Sequence, residues 1–177
     1  PAWKQSLIYT GALWGDWFDW ELLIEICHQY PELKVVMVGD YRGQSPEHPI
    51  NLYFLGLKPQ WSLPAYLAQA YVAFIPWKIN QITKATSPLK VYEYLAMGKP
   101  VVAPDLPPLS GIPYVLRSKT RQAFSGNILE ALTLQIDPAE IDRFVSQNSW
   151  NARLDQLLSL VEFMKTADRS PKIPPGE

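Results

Sequence analysis

The chain has one cysteine, two histidines and almost no net charge, and each scarcity removes a class of function. Cys27 lies in an apolar helical pattern, so it reads as a core residue rather than a nucleophile, and a lone cysteine fits a reducing compartment. His28 and His48 are far apart and lack metal-ligand spacing. A net charge of −1 and a pI near 6.2 give no field for a polyanion. No nucleic-acid partner is therefore expected, and any phosphate must be bound locally. No apolar run is long enough to span a bilayer and no leader pattern opens the chain, which points to a cytoplasmic setting. Internal repeats, charge runs and low-complexity segments are lacking. The apolar run at the start ends in Gly11-Ala12-Leu13-Trp14-Gly15 without a Gly-x-Gly-x-x-Gly, so a dinucleotide-binding oxidoreductase has no support. The first residue is Pro1 rather than Met, as expected of a piece cut from a longer chain.

What is there is a regular alternation. With 177 residues, 47% of them hydrophobic and 19% charged, the chain is long enough for one well-buried domain, expected over 1–167. Ser6 to Gly11, Leu33 to Val38, Asn51 to Gly56, Tyr71 to Ile75, Val101 to Ala103 and Tyr114 to Leu116 read as strands. Between them lie helical patterns: one capped by Asp19 with Trp20, Leu23, Ile24 and Cys27 on its apolar stripe, one opening at Leu63-Pro64, and one marked by Phe124, Ile128, Leu129 and Leu132. Beyond Pro138 the pattern is purely helical. A last helix over about 148–166 carries Trp150, Leu154, Leu157, Leu158 and Val161 on one stripe. The proline-bearing tail 168–177 is expected to be loose. Such alternation predicts an α/β fold, a Rossmann-like doubly wound parallel sheet with its ligand loops at one edge.

One stretch stands out, Ala85-Thr86-Ser87-Pro88-Leu89-Lys90-Val91-Tyr92-Glu93-Tyr94-Leu95-Ala96-Met97-Gly98-Lys99-Pro100-Val101-Val102. Ser87 is placed to cap a helix, Pro88 to occupy its first position, and Gly98 and Pro100 to end it. Helical spacing puts Val91, Tyr92, Leu95 and Ala96 toward the sheet and Lys90, Glu93 and Met97 on the other side. A helix N-terminus followed by Lys90 suits a phosphate, and Glu93 suits sugar hydroxyls. On spacing alone the pair reads rather as an ordinary exposed i, i+3 ion pair.

This stretch resembles the nucleotide-sugar-binding segment of GT-B glycosyltransferases of group 1, the GT4-like retaining family. Tyr9-Thr10-Gly11-Ala12-Leu13 with Trp17-Phe18-Asp19, Val35-Val36-Met37-Val38-Gly39-Asp40, and Asn51-Leu52-Tyr53-Phe54-Leu55-Gly56 with Leu63-Pro64-Ala65-Tyr66-Leu67 resemble the first three strands and loops of that family's C-terminal half. The similarity runs from about Leu7 to Thr166. It implies that the chain is the donor-binding half of a two-domain enzyme whose N-terminal acceptor domain is a missing partner. Any peripheral membrane association is expected through that missing half.

The resemblance assigns roles. Glu93 falls on the second Glu of the family's Glu-x7-Glu motif, which contacts the donor ribose, while the first Glu is replaced by Ala85. Gly11 and Ala12 fall in the first donor loop, where the family's basic residues are replaced by Ala12 and Trp17. The amides of Thr86, Ser87 and the segment at Pro88 match the loop facing the diphosphate. Lys90 then carries more of the phosphate binding, with Lys84 or Lys78 as helpers, so Lys90 and Glu93 are the expected catalytic pair. Asn80 and Thr83 are candidates for donor hydroxyls or ordinary loop residues. Trp14, Trp17 and Trp20 either line the cleft or pack a core. Asp16 and Asp19 are not read as metal ligands, and the family transfers without a bound metal, so no cofactor is expected beyond the nucleoside diphosphate-sugar donor. The expected reaction is retaining transfer to an acceptor hydroxyl. A non-catalytic nucleotide-binding module and a GT-B-like epimerase are the alternatives.

Overall fold

The computed structural model describes residues 5–43 and 45–167; the tail expected at 168–177 lies outside them. Six strands form one parallel sheet: β1 (Ser6–Thr10), β2 (Lys34–Val38), β3 (Leu52–Phe54), β4 (Val72–Phe74), β5 (Val101–Pro104) and β6 (Val115–Ser118). Their spatial order is β3-β2-β1-β4-β5-β6. The order reverses between β1 and β4, and the loops leaving those two strands therefore diverge and open a crevice, the usual ligand position in such sheets. β1 is buried along its whole length, as a strand covered on both faces must be.

Seven helices accompany the strands among the described residues: α1 (Trp20–Gln29), α2 (Leu63–Gln69), α3 (Gln81–Ala85), α4 (Lys90–Ala96), α5 (Arg121–Thr133), α6 (Pro138–Gln147) and α7 (Trp150–Ala167). Asp19 caps α1 as expected, its carboxylate accepting the Leu22 amide at 3.0 Å. Arg121 Nη2 donates to the same carboxylate at 3.0 Å and to Glu21 at 2.8 Å, tying the starts of α1 and α5 together. Burial of Cys27 pushes its thiol up to about 12, so it is an inert core group.

Several expectations need correction. The loop from Pro76 to Ser87 contains α3, set up by a reciprocal cap: Asn80 Oδ1 accepts the Thr83 amide and Thr83 Oγ1 accepts the Asn80 amide, each at 2.9 Å. Ser87 does not cap the central helix. The first turn is a tight one from the Val91 amide to the Pro88 carbonyl, the cap position falls on Leu89, and α4 starts only at Lys90. Its sheet side is Val91, Tyr94 and Leu95, with Tyr92 turned to stack on Phe144 of α6 and Ala96 exposed. In α1 the buried stripe is Leu22, Leu23, Ile26 and Cys27, and in α5 it is Phe124, Ser125, Ile128 and Ala131. The apolar stripe of the last helix faces solvent, with Trp150 75% and Leu157 57% exposed.

Candidate functional site

At the crevice, the end of β1 and the loop after β4 are laced to each other. The Asp19 amide donates to the Pro76 carbonyl at 2.9 Å and the Lys78 amide to the Trp17 carbonyl at 2.8 Å. Trp17 and Trp77 meet edge-on with centroids 5.1 Å apart, and Trp17 and Trp20 also pack on Phe18. Two of the three tryptophans are thus packing residues. Trp14 is different: half-buried, it carries the Arg42 guanidinium 3.9 Å above its ring.

Lys90 leaves the start of α4 and runs back toward this crevice. Its Nζ donates to the Tyr9 phenol oxygen at 2.8 Å and lies over the rings of Tyr9 and Trp77, 4.1 and 5.1 Å from their centroids. Enclosure by those rings lowers its pKa from the ordinary lysine value to about 7, while the charge of Glu93 opposes the fall. Gly11 closes the site from the other side. A Cβ there would stand 2.5 Å from Lys90 Nζ, so the ammonium occupies the space that a side chain at Gly11 would fill. Gly39 is just as tightly placed, since a Cβ on it would meet the Gly11 carbonyl oxygen at 1.8 Å.

The fold therefore brings Gly11, Ala12 and Lys90 together. Gly11 and Ala12 border a hollow of about 340 Å³ between the loops after β1, β2 and β3, with Trp14, Arg42, Lys58 and Leu63 among its walls. Pro88 is buried and supports the turn before Lys90; Thr86 donates its hydroxyl to the Ile82 carbonyl at 2.7 Å; Ser87 is exposed. Asn80 and Thr83 are occupied by each other and by the Lys78 carbonyl, which Thr83 Oγ1 reaches at 2.7 Å. Glu93 is exposed and borders a separate hollow of about 250 Å³ with Tyr92, Trp150 and Arg153. Lys78 lines a third cavity, beside Asp19 and Arg121, and Lys84 is exposed on α3.

The sequence reading passes over Tyr9 and Trp77 as separate candidates, although they form the aromatic wall around Lys90. Their signal is positional: Tyr9 lies near the C-terminal end of β1 and Trp77 in the loop just past β4, the two strands flanking the switch point. Arg42 is likewise unannounced. Among the described residues no group of three His, Cys, Asp or Glu side chains is arranged to hold a metal, and no helix is long and apolar enough to cross a membrane.

An all-parallel six-stranded sheet with a crevice at its switch point is a Rossmann-like α/β fold, the fold of GT-B glycosyltransferase halves, and solved structures agree. Sucrose-phosphate synthase from Thermosynechococcus elongatus superposes with a TM-score of 0.68 at 20% identity, covering 94% of this chain and 47% of its own. HepE of Anabaena, solved in complex with UDP and glucose, gives 0.67 at 15% identity, covering 90% of this chain and 48% of its own. At those identities the likeness is one of fold. Residues 4–136 match the family described as glycosyl transferases group 1, and the chain belongs to that family. A Bacillus subtilis (strain 168) protein named as a teichuronic acid biosynthesis glycosyltransferase, TuaH, is 30% identical over 105 residues, 55% of this chain. The chain spans 26% of that relative and just under half of each solved structure above.

Proposed function

We propose that this chain is the donor half of a retaining, metal-independent glycosyltransferase that binds a nucleoside diphosphate-sugar. The observation that carries the reading is the Lys90 ammonium held against Gly11 at the end of β1. A diphosphate lying over Gly11 and Ala12 meets this cation directly, and the hollow toward Arg42 and Lys58 receives the base. Support also comes from HepE, which shares the fold and was solved with UDP and glucose.

In the reaction the acceptor hydroxyl attacks the anomeric carbon on the same face from which the diphosphate departs, so that configuration is retained, and negative charge grows on the departing phosphate oxygen. Lys90, protonated, neutralises that charge from a fixed position, the kind of electrostatic preorganisation that lowers a barrier by about 3 kcal/mol per donor. Glu93, exposed one turn further along α4, borders a different hollow, so it accepts hydrogen bonds from the ribose hydroxyls where the ribose lies on the α4 side of the diphosphate. The Thr86 amide is taken up by the Thr83 carbonyl at 3.2 Å, which leaves the Ser87 amide as the backbone donor offered to the phosphates. The acceptor and the group that takes its proton belong to the other half of the enzyme.

Calorimetric titration of this chain with UDP, GDP, ADP and NAD, repeated on Lys90→Ala and Glu93→Ala, tests the reading. One nucleoside diphosphate should bind, NAD should not, and both substitutions should weaken binding, Lys90→Ala by tenfold or more. Tight binding of NAD, or equal affinity in wild type and Lys90→Ala, would sink it.

A further inference from the structure

The hydroxyl of Tyr9 is fully committed. It donates its only hydrogen to the Ala12 carbonyl at 3.0 Å, and its oxygen accepts from Lys90 Nζ at 2.8 Å and from Trp77 Nε1 at 3.2 Å. A phenol has one hydrogen and two acceptor sites, so nothing is left over. Because the hydrogen goes to Ala12, the bond to Lys90 has only one possible sense: the lysine donates. The ring itself is fully buried at the end of β1 and held edge-on by Phe18 and Phe74, with centroids 5.7 and 6.4 Å away. A phenylalanine would pack there as well. The hydroxyl is the part that needs a reason, because a buried hydroxyl is costly unless all its bonds are made, and all three partners belong to the crevice.

We propose that Tyr9, assisted by Trp77, is the positioning residue of the donor site, holding the Lys90 ammonium over Gly11 so that it meets the donor diphosphate without rearranging. This rests on the reading of Lys90 as the diphosphate contact. A lysine has four rotatable side-chain bonds, and freezing them upon binding weakens a complex; here they are frozen in the free protein. The same hydroxyl, by bonding Ala12, fixes the first donor loop relative to the lysine. One oxygen therefore couples three pieces of the site that come from residues 9–12, 77 and 90. Of the groups around the ammonium, Glu93 on α4 itself is the charged one; β1 brings Tyr9, and the flanking loops bring Trp77, Gly11 and Ala12, none of them charged. The bond from Lys90 to Tyr9 favours the protonated amine and so opposes the effect of burial.

Two measurements on the 177-residue chain test the role: a pH titration of lysine Cε by carbon-13 NMR, and calorimetric titration with UDP, GDP and ADP. Each is made on wild type, Tyr9→Phe, Lys90→Met and the double variant. In Tyr9→Phe, Lys90 should titrate at lower pH than in wild type, and the nucleoside diphosphate that binds wild type should bind about tenfold more weakly, the effect of losing a hydrogen bond to a charged group. In the Lys90→Met background, Tyr9→Phe should change affinity little, because its influence runs through the lysine. An unmoved Lys90 titration, or an equal loss of affinity in both backgrounds, overturns the positioning role while leaving the donor site standing. Failure of all three nucleotides to bind wild type overturns the donor reading and this role with it. Should Tyr9→Phe not fold, the wild type decides: the Lys90 ε-protons, lying over two rings, must resonate upfield of the other lysines and show contacts to Tyr9 and Trp77, and their absence overturns the proposal.

Discussion

The phenol oxygen of Tyr94 accepts the backbone amide hydrogen of Thr10 at 2.8 Å, a bond between residues 84 positions apart that fastens α4 to the last residue of β1. Both partners are buried, Tyr94 completely. Together with the burial of Val91 and Leu95, that contact holds α4 in the rotation from which Lys90 runs to the end of β1.

Replacing Tyr94 by Phe removes the acceptor and leaves a buried N–H without its partner. The expected cost is about 1–3 kcal/mol of folding stability, measurable by urea denaturation, with nucleotide affinity also reduced because Lys90 loses its base. A variant as stable as wild type would mean that the bond does not hold the helix.

Lys90 makes stability depend on pH in a direction opposite to that of a salt-bridged lysine. Its folded-state value, about 7, lies below the ordinary lysine value of 10.5. Between the two the unfolded chain binds more protons than the folded one, so this group's contribution rises as pH climbs from about 7 toward 10.5 and is least favourable below 7. Lys90→Met should therefore be more stable than wild type at pH 6, and the gap should narrow by pH 9. A gap independent of pH over that range would contradict the placement of the ammonium. An anion bound beside Lys90 pulls its pKa up, so nucleotide affinity should fall from pH 7 to pH 9 and binding should take up protons; calorimetry in buffers of different ionisation enthalpy reads that uptake.

Gly39→Ala should be far more damaging than a surface glycine substitution. Its Cβ would lie 1.8 Å from the Gly11 carbonyl oxygen, and its φ of 154° is one that L residues rarely adopt. Because the obstacle is backbone, relief requires moving the β1 loop away from β2. We expect loss of more than about 2 kcal/mol and loss of nucleotide binding in whatever folds. Gly43→Ala, where a Cβ would meet nothing, provides the control, paying only for its φ of 67°.

Removing residues 150–177 should leave the parallel domain intact. Along α7 the large apolar side chains Trp150, Leu154, Leu157, Leu158, Phe163 and Met164 are each more than half exposed, so the described part of the helix gives the core little burial. The shortened chain should unfold cooperatively within about 1 kcal/mol of the full one, and it should bind less of an apolar dye. A molten or insoluble product would show that α7 stabilises the domain.

The amino-acid pattern alone carried the architecture. Strand-length apolar runs ending in Gly or Pro, separated by helical stripes, leave few alternatives to a parallel doubly wound sheet, because handedness and short connections restrict the rest. Asp19 as a cap and Cys27 as core were legible for the same reason: both follow from neighbours three or four positions away. Local signals failed where a distant partner outweighed them. Ser87 looked like a cap, but the tight turn from the Val91 amide to the Pro88 carbonyl moves the helix start to Lys90. Helical spacing assigned Tyr92 to the sheet side, but Phe144 of α6 draws its ring away and the Thr10 amide gives that side to Tyr94. Lys90 and Glu93 read as neighbours on one face, yet the lysine turns inward to Tyr9 and the carboxylate stays outside. Sequence order determined which loops meet at the crevice; only the packed structure decided which side chains point into it, because a lysine's direction is set by what encloses its stem and hydrogen-bonds its tip, and here those groups lie 81 and 13 residues away in Tyr9 and Trp77.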